Sequence, residues 1–414
     1  MACVYIKAYL ISSSILLLMK CVIGDAVLPL NIVPGIVNRS DFPTRFAFGV
    51  STSSYQTEGA AKLYGKGPSV WDYYIQQYPG KIKGQANIDV ACDSYHRYKE
   101  DIALLKYMGI TSYRFSIAWT RILPQGSLEG GINQQGIDHY NNVLHELQIN
   151  SIEPYVTLLH QDSPQVLQDK YGGFLNKSIV NDFRDYCDIC FRNFGDKVKH
   201  WITINEPTIT AQNGYGDGTA PPARCSPSKG CKEGDSGKEP YIVAHNIILA
   251  HAAAAQLYRQ EYKAKQGGEI GMTLVGTWYL PFSDLPKDVA ALDRIKDFNI
   301  GWFLDPFVRG NYPQIMRNLV KDRLPTFDVS EKNMVLGSLD FIGINYYTSK
   351  FVKGLPLIIQ EPYSWDKDSC AQFSQGEYEY QLHFLSQIYP FSINEVILNV
   401  LMLHISYCHR KCDR

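Results

Sequence analysis

The chain has 414 residues, 45% of them hydrophobic and 20% charged, which is enough apolar material for a sizeable core. A net charge of −1 from 40 basic and 41 acidic residues implies no basic face. Nucleic acid and anionic membrane surfaces are therefore excluded as expected partners.

The N-terminus carries the first local signal. Lys7 precedes an apolar run over residues 8–19, followed by Lys20, Cys21 and small residues up to Ala26. That run is shorter than the roughly 20 residues a membrane span needs, and it sits where a secretory signal belongs. A signal peptide over residues 1–25 is predicted, with no membrane attachment once it is removed. Two acceptor triplets for N-glycosylation agree with the secretory pathway: Asn38-Arg39-Ser40 and Asn176-Lys177-Ser178. Of ten cysteines, Cys225 and Cys231 flank a Pro/Gly/Ser-rich stretch where a short disulfide loop is expected. Cys187 and Cys190 form a C-x-x-C inside a helical pattern with no second cysteine pair nearby, which favours buried helix cysteines over a redox or zinc site.

From Phe46 onward, short apolar β-branched runs alternate with longer helical patterns. Strands are predicted over 47–52, 112–118, 153–159, 200–204, 269–275 and 339–345, with helical stretches such as 96–108 and 241–260 between them. This rhythm argues for successive βα units around a parallel sheet covered on both faces. Polar residues crowd at the ends of the runs, among them Gln56 and Glu58, Arg114, His160 and Asp162, Asn205 and Glu206, and Asn345 to Tyr347. In a (β/α)8 TIM barrel that end of the strands is where chemistry is built. Six of the eight βα units are legible, so the α/β barrel is read as incomplete. A Gly/Pro/Ser-rich loop at about 214–239 reads as an insertion on the functional face. After about Val352 the βα rhythm fails.

The strongest chemical signal is Trp201-Ile-Thr-Ile-Asn205-Glu206-Pro207, a strand that ends in Asn-Glu before a proline that stops ladder pairing. Glycoside hydrolysis needs a carboxylic acid to protonate the departing oxygen, and a strand-end acid near a second carboxylate suits that task. Helix capping by Glu206 is the competing reading of those residues alone. His160-Gln161-Asp162 has no third ligand at matching spacing, so no metal site and no cofactor are expected.

Five stretches carry a resemblance. They are Phe46-Ala-Phe-Gly-Val-Ser-Thr-Ser-Ser-Tyr55-Gln56-Thr-Glu58-Gly59-Ala60, Tyr113-Arg114-Phe-Ser-Ile-Ala-Trp119, Thr157-Leu-Leu-His160-Gln-Asp162-Ser-Pro164-Gln165, Asn205-Glu206-Pro207, and Asp340-Phe-Ile-Gly-Ile-Asn345-Tyr346-Tyr347-Thr-Ser349. In order and spacing, over about 41–350, they resemble glycoside hydrolase family 1 and its plant β-glucosidases. The resemblance implies that Glu206 is the general acid/base and that Asn205 contacts the sugar 2-hydroxyl. It also implies that Gln56 and His160 hold hydroxyls across the ring, and that Asn345, Tyr347 and Arg114 lie beside the nucleophile. The implied substrate is a small β-glucoside or oligosaccharide with a terminal β-D-glucosyl residue, and the implied location is extracellular, apoplastic or vacuolar.

The sequence departs from the family in two ways. Gln161 stands where the family usually has Trp, which removes a packing surface beside the sugar. The Thr-Glu-Asn-Gly motif, whose Glu is the family's nucleophile, does not occur in the sequence, and Glu361, Glu377, Glu379 and Glu395 lack its context. Residues 351–414 are accordingly read as a divergent tail. Alongside the retaining β-glucosidase, two alternatives stand: an inactive product of altered splicing or a premature stop, and a non-enzymatic glycan-binding or scaffold protein.

Overall fold

A computed structural model describes residues 39–82 and 87–374; the signal segment, Asn38, and Glu377, Glu379 and Glu395 lie outside the described residues. Strands β1 (Gly49–Ser51), β2 (Ser112–Ser116), β3 (Glu153–Leu159), β4 (His200–Asn205), β5 (Glu269–Pro281) and β6 (Phe341–Gly354) pair in chain order, each parallel to the next. This is an incomplete (β/α)8 barrel with all six predicted strands in place. A seventh strand, β7 (Ala371–Ser374), joins β6 in the antiparallel sense.

The strand interiors are buried on both faces: every residue of β3 after Glu153 is buried, and in β4 every residue after His200. That is why both read as continuous apolar runs rather than alternating ones. Helical crossovers supply the cover. They include α1 (Val70–Gln77), α2 (Ser94–Tyr107), α3 (Gln134–Ile149), α4 (Ile179–Phe194), α5 (Glu239–Leu257) and α6 (Pro286–Lys296). In α4, Ile179, Phe183, Tyr186, Cys190 and Phe194 follow the 3.6-residue period and meet the strands along one stripe. Cys187 and Cys190 are both fully buried and burial pushes both thiols up, so the C-x-x-C is core. Helix α5 is buried almost all round, as its Ala-rich sequence with no polar face requires. One apolar cluster links Val156, Trp201 and Ile270 of the sheet to Phe183 and Phe191 of α4 and Ile247 of α5.

β5 and β6 outrun their predicted lengths, reaching 13 and 14 residues. Past the barrel they continue as a two-stranded ribbon through Leu280–Phe351 and Pro281–Val352 pairs, and β7 pairs with the end of that ribbon. The packed chain thus runs on beyond residue 350. A short helix, Trp365–Asp368, anchors this stretch through polar contacts that carry no periodic signature. Asp368 is fully buried and takes two hydrogen bonds from the Arg323 guanidinium, at 2.7 and 2.8 Å, and one from the Tyr241 hydroxyl at 2.7 Å. The predicted 214–239 loop docks on the same helix. Lys229 bridges Asp217 and Asp366 at 2.9 Å each, and the expected Cys225–Cys231 disulfide is present.

Removing one partner of a buried ion pair leaves the other uncompensated. Asp368→Ala is therefore expected to lower the unfolding free energy by roughly 3–5 kcal/mol. Urea denaturation of wild type and variant checks this, and a loss below about 1 kcal/mol would mean that the 355–374 stretch is not packed as described.

Candidate active site

The site is organised by Arg114, which projects from β2 and is buried. Its Nε donates to Thr157 Oγ1 of β3 at 3.0 Å, Nη1 to Asn345 Oδ1 of β6 at 3.1 Å, and Nη2 to Asn205 Oδ1 of β4 at 2.5 Å. One planar donor fork thereby fixes side chains from three other strands. Asn345 Nδ2 then donates to Asn205 Oδ1 at 3.1 Å and to Glu206 Oε1 at 2.7 Å. Because Asn205 Oδ1 already accepts from Arg114 and Asn345, its Nδ2 must face His160 Nε2, 3.1 Å away. Burial, reinforced by the charge of Arg114, pushes the His160 imidazole down to about 3, so it is neutral at physiological pH. A neutral ring that accepts at Nε2 carries its proton on Nδ1, and that buried atom has no hydrogen-bond partner among the described residues.

Glu206 follows the last residue of β4 in a left-handed conformation, φ +49°. Its backbone N–H donates to Thr273 O of β5 at 2.8 Å, and Pro207 then starts a short helix. The side chain makes no capping hydrogen bond to that helix, which removes the capping alternative. Its carboxyl instead turns to the ends of the strands. Oε1 accepts from Tyr347 Oη and from Asn345 Nδ2, both at 2.7 Å, while Oε2 faces Gln161 Nε2 at 3.5 Å. Glu206 is 7% exposed, whereas Tyr347, at 67%, stands at the mouth.

Six of the seven substrate-site residues named from sequence thus meet in one network: Arg114, His160, Asn205, Glu206, Asn345 and Tyr347. Gln56 does not join it by a hydrogen bond. It is exposed, and its Oε1 accepts from Ser53 Oγ at 2.5 Å. Its neighbour Tyr55 comes closer, with its ring 6.1 Å from that of His160 and stacked on Trp71 at 5.0 Å. Glu58, grouped with the strand-end polar residues by sequence, serves elsewhere. It is buried against Arg121 Nη2 at 3.0 Å and accepts from Tyr140 Oη at 2.6 Å.

Sequence reasoning missed Gln161 and Asp162 as architectural partners. Asp162 is buried below the turn, where it accepts from Ser54 Oγ at 2.7 Å and from the His160 backbone N–H at 3.2 Å. These bonds hold Gln161 at φ +63°. The only sequence signal was the polar run His160-Gln161-Asp162 itself. Among the described residues no group of metal-binding side chains is assembled.

Burial pushes the Asp162 carboxyl up to about 6 from 3.8, more than its hydrogen bonds pull it down. The folded state therefore favours the protonated form. The stability this contributes is complete below 3.8 and is lost as pH rises through about 6, a change of roughly 3 kcal/mol. Asp162→Asn, which preserves the shape and an acceptor, should gain stability relative to wild type across that window and level off above it. Thermal melts from pH 4 to 8 test this, and a wild-type-to-variant difference independent of pH would refute it.

A family model described as "Glycosyl hydrolase family 1" matches residues 38–406. Beta-glucosidase 24 of Oryza sativa subsp. japonica is 50% identical over 338 residues, covering 81% of this chain and 67% of its own. Furostanol glycoside 26-O-beta-glucosidase of Hellenia speciosa is 54% identical, covering 78% of this chain and 57% of its own. The crystal structure of a rice beta-glucosidase superposes with a TM-score of 0.79 at 47% identity, covering 82% of this chain and 71% of that one. The chain thus spans between about half and three quarters of the length of these relatives.

Proposed function

Because this chain belongs to glycosyl hydrolase family 1, we propose that its site is the proton-donating side of a retaining β-glucosidase centre that acts on terminal β-D-glucosyl groups of small glycosides. Glu206 gives a proton to the departing glycosidic oxygen and then, as general base, takes one from the water that completes the reaction. Asn205 and His160 bind sugar hydroxyls, and Asn345 and Tyr347 fix the Glu206 carboxyl.

The observation that carries this reading is the electrostatic imbalance around Arg114. Burial lowers its guanidinium to about 10, so it remains cationic at neutral pH. Its hydrogen-bond acceptors are two amides and a hydroxyl; among the described residues no carboxylate accepts from it, and Glu206 acts on it only through its charge at a distance. A buried cation with no carboxylate in direct contact is expensive. A second carboxylate beside Asn345 and Tyr347 would compensate it, and this is the group a retaining mechanism needs about 5–5.5 Å from the acid.

The test uses sodium formate to supply that carboxylate externally. With phenyl β-glucoside, whose leaving group needs protonation, formate should promote phenol release, and Glu206→Gln should reduce that release by about 10²–10⁴-fold. With 2,4-dinitrophenyl β-glucoside, which leaves without help, the same substitution should have little effect. Equal losses on both substrates, or no formate-dependent release from either, would overturn the assignment.

The same proposal places the protein in the secretory pathway, extracellular or vacuolar. Support comes from the Cys225–Cys231 disulfide and from Asn176, which is exposed at the start of α4 with its Oδ1 accepting from the Ser178 N–H at 2.9 Å. Expression in plant cells should yield a glycosidase-sensitive mobility shift that Asn176→Gln diminishes. An unshifted band would count against this location.

A further inference from the structure

We propose that Gln161 is the positioning residue that holds the transferable proton of Glu206 on Oε2. This rests on Glu206 being the proton donor, and it concerns a residue at which the chain departs from the family pattern.

The two carboxyl oxygens of Glu206 are not equivalent. Oε1 accepts two hydrogen bonds of 2.7 Å, from the Tyr347 hydroxyl and the Asn345 amide. A proton on Oε1 would have to displace one of these donors. The Asn345 bond is fixed, because its other amide contacts tie it to Arg114 and Asn205, and the Tyr347 bond would be given up; a proton on Oε2 costs neither. The proton of the neutral acid therefore belongs on Oε2, whose partner among the described residues is the Gln161 amide at 3.5 Å.

A primary amide suits this position because it has one face of each kind. Toward the carboxylate, Gln161 presents Nε2–H and donates. Toward the protonated acid, it turns its terminal torsion by half a revolution and presents Oε1 to the Oε2–H. That torsion is broad and two-fold, so the turn is cheap where there is space. Space exists: Gln161 lines a cavity of about 20 Å³ together with Trp71, Ser163, Ile209, Thr210 and Tyr215. Trp71, which lines the same cavity, has a buried Nε1–H with no hydrogen-bond partner among the described residues. The backbone does not turn with the amide. Gln161 is held at φ +63° because Asp162, bonded to Ser54 and to the His160 N–H, fixes the turn from below. The backbone is thus fixed while the terminal amide can adapt. Gln161 keeps the proton on the oxygen remote from Tyr347 and Asn345 until the glycosidic oxygen, a competing acceptor, arrives and takes it.

The experiment is infrared difference spectroscopy on the full 414-residue chain, titrated through the range where it stays folded. The protonated-carboxyl C=O band of Glu206 is identified as the one missing from Glu206→Gln. In Gln161→Met, which has similar length and no amide, that band is expected to move to the higher frequency of an acid whose O–H has lost its acceptor. Gln161→Asn is the second variant: asparagine tolerates the left-handed backbone, so the fold is preserved, but its amide is one methylene short. It should shift the band the same way. A Glu206 band unmoved in both variants overturns the role of Gln161 while leaving Glu206 as the acid. Absence of any protonated Glu206 band in the wild type overturns the proton-donor assignment itself, and this proposal with it.

Discussion

A guanidinium fork at the centre of a parallel sheet holds this structure in its working arrangement. Arg114 reaches from β2 to Thr157, Asn205 and Asn345 on three other strands, and the two asparagines in turn each orient something else. Asn205, with its oxygen committed to Arg114, can offer only its amino group to His160, and this sets the imidazole tautomer. Asn345, with its oxygen likewise committed, offers its amino group to Glu206. The position of the acid therefore depends on a cation that does not touch it. The curvature of the sheet matters here, because only a closing barrel brings β2 and β6 within reach of the same side chain.

Four of the buried carboxylates differ in how their oxygens are used. Glu58, Asp162 and Asp368 are buried and serve the fold: each accepts hydrogen bonds from two or more neighbours and stabilises a junction between elements. Glu206 has one oxygen equally committed and the other nearly free. That asymmetry within a single carboxyl group distinguishes Glu206 from Glu58, Asp162 and Asp368, although all four are largely withdrawn from solvent.

Much of the fold was legible in the sequence because parallel strands covered on both faces read as uninterrupted apolar runs, and β2, β3 and β4 appear within two residues of their predicted limits. The extension of β6 to Gly354, the strand at Ala371–Ser374 and the anchoring of Asp368 were not legible. Ribbon pairing and a buried Arg–Asp contact depend on long-range geometry and leave no periodicity behind. In the site, strand-end position drew attention to Arg114, His160, Asn205, Glu206, Asn345 and Tyr347, and the family resemblance supplied their roles. Gln56 has an exposed amide that bonds within its own turn and does not join that network, and for Gln161 the pattern showed only the loss of an aromatic, its contact with Glu206 becoming visible in three dimensions.

Glu206 and Gln161 share a backbone feature: both are non-glycine residues at positive φ, +49° and +63°. Glycine or asparagine would relieve backbone strain at either position. Backbone strain at these two turns is the cost at which the proposed site keeps a carboxyl and an amide facing each other. Replacing either side chain would alter the site while leaving the sheet intact, whereas Arg114 ties three other strands together through a single guanidinium.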